Sequence, residues 1–200
     1  MGPVATSINA FKEYQTNEAW TWEHLALSRA RVVAGDEGLA VAVRDAMRAA
    51  LCQPHDRTKV IGDVQEMRAK LAEEKDDNPW EMKHGPGWLM DIELVLQTGS
   101  VLYGITGIER PADMLPELVV AGWISAEQAG SIGQALRLYM SIQQVARLAV
   151  GGSVDPESAG RGFLDLLVSV AKVDDITALE VLLKDTAARM AAIIDEVLTV

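Results

Sequence analysis

Two stretches place ionisable side chains where an apolar helical pattern would otherwise continue. The first is Glu18-Ala-Trp-Thr-Trp-Glu-His24, leading on to Arg29-Ala-Arg31. The second is Lys83-His-Gly-Pro-Gly87, which runs directly into Trp88-Leu-Met-Asp91-Ile-Glu93. An isolated buried charge is too costly to keep, so such ions must be paired or used. In the second stretch, Gly85-Pro86-Gly87 allows a close backbone approach before a helix. The helix start then offers unsatisfied N–H groups and a partial positive charge, and Lys83 adds a full one. That chemistry suits phosphate, although the segment is not a P-loop. Asp91 and Glu93 sit in the first turns of the helix. Asp91 either stabilises the helix start or faces a cation, a metal-bound water or Lys83. Glu93 shares a stripe with Gln97 and Ser100, the least apolar edge of that helix.

In the first stretch, a wheel over a continuous helix puts Phe11, Tyr14, Glu18, Trp22, Leu25, Arg29 and Val32 on one face. Trp20 and Leu27 lie opposite, bordered by Glu23, His24 and Arg31. A helix apolar on two sides is sandwiched between two bodies. Either its charges pair with neighbouring helices, or one side faces a catalytic domain outside this chain. On the second reading the inward-looking ions need that missing neighbour.

The remaining composition narrows the field. The formal charge is −11, which argues against nucleic acid or an anionic membrane surface as the main partner. Net charge does not exclude ATP, which local lysines and arginines can hold. There is one cysteine, Cys52, so no intrachain disulfide forms and a reducing cytoplasmic compartment is the default. No apolar run is long enough to span a bilayer. His24, His55 and His84 are too scattered for a metal site. Glu81-Met-Lys-His84 has the Glu-x-x-His spacing of di-iron bundles but lacks the second copy such a site needs. No Ser-His-Asp arrangement and no paired-cysteine zinc pattern is present.

The elements that must position these residues are helical nearly throughout, with no convincing alternation of strand type. The pattern predicts helices over about 7–33, 37–52, 56–75, 88–104, 111–122, 125–150, 157–170 and 175–198. Ser7 and Ser125 serve as N-caps and Pro111 takes a first-turn position. Breaks fall at 76–79 and 151–156. The fold class is all-α, an up-and-down helical bundle of about seven to eight helices. It forms a single helical domain over 1–200, or two parts at 1–105 and 106–200.

Together these residues resemble the bacterial glutamine synthetase adenylyltransferases. The match runs through Phe11-x-x-Tyr-Gln15 and Ala19-Trp-Thr-Trp-Glu-His24-x-Ala-Leu-x-Arg-Ala-Arg31-Val-Val-Ala-Gly-Asp36. It continues through Val64-x-x-Met67-Arg68-x-Lys70 and Met82-Lys83-x-Gly85-Pro-Gly87-x-x-x-Asp91-Ile-Glu93. The family has two nucleotidyltransferase halves, each followed by a helical domain. The wording Ala-Trp-Thr-Trp-Glu-His resembles the segment after the C-terminal core, to which adenylylation is assigned. The resemblance implies transfer of AMP from ATP to a tyrosine of glutamine synthetase, in control of nitrogen assimilation. Mg²⁺ would be held by the acids of a Gly-Ser…Asp-x-Asp motif. This chain has no such motif, so the catalytic core is expected upstream. The fragment alone is then inactive, with no catalytic residue, no metal ligand and no tightly bound cofactor of its own.

By the same resemblance Lys83, with Gly85 and Gly87, lies beside the nucleotide phosphates. Arg29 and Arg31 contact phosphate or lock the first helix to the core. Glu23, Asp91 and Glu93 position metal-bound water or basic partners. Two positions depart from the family pattern. Trp88 stands where a small residue is usual, and Ile142-Gln-Gln-Val-Ala-Arg147 replaces a Glu-His-Arg run. An alternative reading is a non-catalytic docking module for glutamine synthetase or a PII-type signal protein. A third is a self-contained helical protein that shares the fold.

Overall fold

A computed structural model describes residues 5–73, 78–149 and 154–199. Residues 76–77 and 151–153, where breaks are expected, lie outside these. Among the described residues there are nine α-helices and no strand. They are α1 Ile8–Asn17, α2 Thr21–Leu27, α3 Glu37–Leu51, α4 Arg57–Glu73, α5 Leu89–Tyr103, α6 Pro111–Val120, α7 Ala126–Ala149, α8 Arg161–Ala171 and α9 Ile176–Val197. The fold is all-α, and no helix among the described residues is long and apolar enough to cross a membrane.

The chain forms two compact units, each built from two main stretches. Of the described residues, one comprises those within 5–66 and 94–123, and the other those within 67–93 and 124–199. In the first unit α1 and α2 pack on α3. Its core contains Leu25, Leu51, Ile61, Val64, Leu96 and Leu118. Trp123 lies across α5, its indole N–H donating to the Val95 carbonyl at 3.0 Å. Gly99 makes room for it, since a Cβ there would stand 2.3 Å from the Trp123 ring. α6 stops at Gly122, whose φ of +76° turns the chain while the Trp123 N–H reaches back to the Leu118 carbonyl at 2.9 Å.

In the second unit α7, α8 and α9 pack on one another. Leu179, Leu183, Ala187, Met190 and Ile194 form the buried stripe of α9, facing a core that includes Ile132, Tyr139, Ile142 and Leu167. The N-terminus of α7 is a reciprocal capping box. The Gln128 N–H donates to Ser125 Oγ at 3.1 Å, and the Ser125 N–H donates to Gln128 Oε1 at 2.8 Å.

Two helix boundaries differ from expectation. The single helix predicted over 7–33 is two helices with a corner at residues 18–20. The Glu18 and Ala19 N–H groups both donate to the Tyr14 carbonyl at 2.9 Å, and Trp20 turns to extended backbone with ψ of 161°. Thr21 then starts α2, its hydroxyl donating to Asp63. Helix stops at Leu27, so Arg29 and Arg31 stand in a non-helical segment. The common face drawn for Phe11, Glu18 and Arg29 therefore does not exist. The helix expected from 157 begins at Arg161, because Asp155 first gathers the Glu157 N–H at 3.1 Å and the Ser158 hydroxyl at 2.6 Å into a local turn.

Candidate functional site

Lys83, Gly85, Gly87, Asp91 and Glu93 belong to the second unit, and Glu23, Arg29 and Arg31 to the first. In the second unit the glycine turn is closed rather than open. The Gly87 N–H donates to Asp91 Oδ2 at 2.7 Å. The Trp88, Leu89 and Met90 N–H groups donate to the carbonyls of Gly85, Met82 and Lys83 at 3.2, 3.1 and 3.0 Å. Four amides of the expected cradle, those of Gly87, Trp88, Leu89 and Met90, are thus engaged within the chain. Gly87 is required for another reason. Its φ is +77°, and a Cβ would lie 1.9 Å from the Ala187 carbonyl oxygen of α9. The Tyr139 hydroxyl donates to the Gly87 carbonyl at 3.3 Å. Burial pushes that phenol well above its ordinary titration range. Trp88 is buried and its ring stands 5.2 Å from that of Tyr139. The bulky residue that departs from the family pattern thus fills the core under the turn.

Asp91 is buried and has found its cation. Arg68 on α4 donates through Nε to Asp91 Oδ1 at 2.5 Å and through Nη2 to Asp91 Oδ2 at 3.1 Å. The same Nη2 reaches Asp195 Oδ1 on α9 at 2.9 Å. Burial alone would lower the proton affinity of Arg68. The hydrogen bonds and charges of Asp91 and Asp195 outweigh it and raise that affinity above the ordinary value. Of the alternatives open for Asp91, the structure realises two together: it holds the helix start and it faces a cation. That cation is Arg68, not Lys83. The sequence offered a signal for this, because Arg68 continues the i, i+4 series of the buried residues Val60 and Val64. Lys83 itself is exposed, its backbone N–H bonded to Glu81 Oε2 at 3.1 Å. Glu93 is partly buried on α5.

In the first unit Glu23 organises its own helix start. Its carboxylate accepts from the Trp20 N–H at 2.9 Å and from the Tyr14 hydroxyl at 2.7 and 2.9 Å. The hydrogen bond to Glu23 is the largest of the influences that raise the Tyr14 phenol above its ordinary value. Arg31 pairs with Glu109 at 3.1 Å on the surface, and Arg29 is exposed. Trp20 and Trp22 are 69% and 54% exposed, whereas Leu25 and Leu27 are buried, so each of the two faces expected of the first helix leaves a tryptophan uncovered in this unit. His24 is buried, its Nε2 2.9 Å from the Gln15 carbonyl, with the His55 ring 5.1 Å away. Among the described residues no group of three or more His, Cys, Asp or Glu could hold a metal ion.

A family model described as glutamate-ammonia ligase adenylyltransferase matches residues 1–46. A model described as GlnD PII-uridylyltransferase matches residues 63–151. Curated bifunctional glutamine synthetase adenylyltransferase/adenylyl-removing enzymes align along nearly the whole chain. That of Mesorhizobium japonicum is 39% identical over 193 residues, or 94% of this chain. That of Xanthobacter autotrophicus is 36% identical over 202 residues, or 98% of this chain, and that of Rhizobium meliloti 37% over 185 residues, or 90%. The chain belongs to the glutamine synthetase adenylyltransferase family. It spans about one fifth of the length of these relatives, covering 20%, 20% and 19% of them respectively. In this member of the adenylyltransferase family, Arg68 and Glu109 pair with the sequence-marked ions Asp91 and Arg31, and Tyr14 donates a hydrogen bond to Glu23. Arg68 stood within the resemblance motif without a role, and the other two carry no local sequence signal.

Proposed function

We propose that this chain is the helical part following the C-terminal nucleotidyltransferase core of a glutamine synthetase adenylyltransferase, acting in the cytoplasm. In the full-length enzyme that core would transfer AMP from ATP, with Mg²⁺, to a tyrosine of glutamine synthetase. The observation that carries this is the alignment of 90–98% of the chain with about one fifth of the bifunctional enzymes. The exposed Trp20 and Trp22 at the start of α2 support it as well, since large aromatic surface is what an adjoining domain would cover. Lys83 is the cation of the glycine segment with an exposed side chain. We assign it the contact with nucleotide phosphate, beside Gly85 and Gly87. Arg29 and Arg31 would contact phosphate or the core, and Glu23 and Glu93 would help to hold the wall in place. Asp91, held by Arg68, would fix through the Gly87 amide the backbone that presents Lys83.

The test is Lys83→Ala in the full-length enzyme. The expected result is an adenylylation rate lowered by about 100-fold, with the thermal midpoint unchanged. An unchanged rate would take Lys83 out of the site. The isolated chain should show no transferase activity. A docking role toward glutamine synthetase or a PII-type protein is the second reading. The match of residues 63–151 to the model described as GlnD PII-uridylyltransferase favours it. Titration of the isolated chain with each partner separates the two readings, because docking without the core belongs to the second alone.

A further inference from the structure

The first unit contains a groove of about 240 Å³ that the glycine segment plays no part in. One wall is a single face of α3, where Arg44, Met47, Arg48 and Leu51 follow at i, i+3, i+4 and i+7. The non-helical segment after α2 supplies Arg31, and the loop after α5 supplies Thr106 and Glu109. Three arginines therefore line one small space in a chain whose formal charge is −11. Two of them have carboxylate partners, Arg31 with Glu109 at 3.1 Å and Arg44 with Glu37 at 2.7 Å. Both pairs are open to solvent, with side chains 50–83% exposed, so they hold their geometry weakly. Arg48 has no ion-pair partner among the described residues, which leaves the groove one positive charge in excess.

We propose that this groove binds a small organic oxyanion, a phosphate ester or a dicarboxylate, with Arg48 as its principal contact. Guanidinium is the side chain best matched to such groups, since its planar fork donates two parallel hydrogen bonds to one carboxylate or phosphate. Arg31 and Arg44 turn from their exposed glutamates to a more concentrated negative charge, and Met47 and Leu51 receive the short apolar body of the ligand. The groove is smaller than the roughly 300 Å³ lower bound of drug-sized pockets, which sets the ligand at the scale of a small metabolite. The site requires neither the upstream core nor nucleotide turnover and goes beyond the function proposed above.

The test is isothermal titration calorimetry on the 200-residue chain at low ionic strength, with inorganic phosphate, AMP and glutarate as separate titrants. One saturable site is expected for at least one of them, weakened by added salt. Arg48→Ala should weaken it about tenfold or more, and Arg48→Lys, which keeps the charge and loses the fork, should fall between. Arg189→Ala, on the other unit, should leave it unchanged. Binding of phosphate or AMP without glutarate assigns a phosphate ligand, and the reverse assigns a carboxylate. No saturable site for any of the three, or a site that Arg48→Ala leaves intact, overturns the proposal. Arg48 is exposed, so a preserved thermal midpoint in Arg48→Ala separates loss of the site from loss of the fold.

Discussion

Arg68 and Asp91 show how a charge at an apolar helical position is kept. Their side chains are 14% and 5% exposed, and both oxygens of Asp91 accept, from two N–H donors of Arg68 and from the Gly87 amide. Breaking such a pair on one side strands the other charge. Arg68→Ala should therefore cost about 3–5 kcal/mol in urea unfolding. The double variant Arg68→Met with Asp91→Leu should recover part of that loss, but not all, because the Gly87 N–H then has no acceptor. Gly87 and Gly122 share a backbone conformation, at φ of +77° and +76°, and differ in surroundings, since nothing stands within 4 Å of a Cβ at Gly122. Gly122→Ala should cost about 1–2 kcal/mol for conformation alone. Gly87→Ala should cost about 1–3 kcal/mol more, as α9 is forced to move. Equal losses in the two variants would refute the close approach to Ala187.

At the scale of the element, the corner between α1 and α2 changes what the first cluster means. Period alone runs one helix through residues 7–33, because Trp20, Thr21 and Trp22 break no helical rule locally. The corner is made by Thr21 reaching Asp63 and by Glu23 reaching back to the Trp20 N–H. Asp63 lies far away in sequence, so its role was not legible there. Nor was the capping role of Glu23, since the residue three positions before it, Trp20, is not a type that marks a helix start. Glu23→Ala should lower stability by about 1 kcal/mol through loss of that cap. It should also move one phenol titration, that of Tyr14, down toward its ordinary 10.0, visible as tyrosinate absorbance at lower pH. A phenol titration that did not move would deny the Tyr14–Glu23 contact.

For the molecule as a whole, the contact between buried His24 and half-buried His55 ties stability to pH. Burial, and then the neighbouring His24, hold His55 below the ordinary imidazole value of 6.5, and its Nε2 is buried without a hydrogen-bond partner. The unfolded chain then takes up the His55 proton more readily than the folded one. Its contribution to stability is full above pH 6.5 and is lost as pH falls through the lower folded value. Stability from urea unfolding should accordingly decline on acidification from pH 7 to 5, and His55→Gln should flatten that decline. An undiminished slope in the variant would assign the effect elsewhere. The ions that suggested an absent neighbour are largely satisfied within the chain: Asp91 by Arg68, Glu23 by Tyr14 and the Trp20 amide, Arg31 by Glu109. The enzyme reading accordingly rests on the family alignment and on exposed Trp20, Trp22 and Lys83 rather than on stranded charge.

The all-α class, the caps at Ser7 and Ser125, the first-turn Pro111 and the stop at Gly122 were legible in the residues alone, because each follows from period or from backbone chemistry within a few positions. The family was legible too, since its motifs are written in residue types. What the glycine segment does was decided only by tertiary structure. Whether an amide at a helix start is free for phosphate depends on which side chain folds back over it, and Asp91 of α5, held by Arg68 of α4, and Ala187 of α9 meet Gly87. No local pattern carries that information, because the energy that closes the turn lies in contacts between residues distant along the chain.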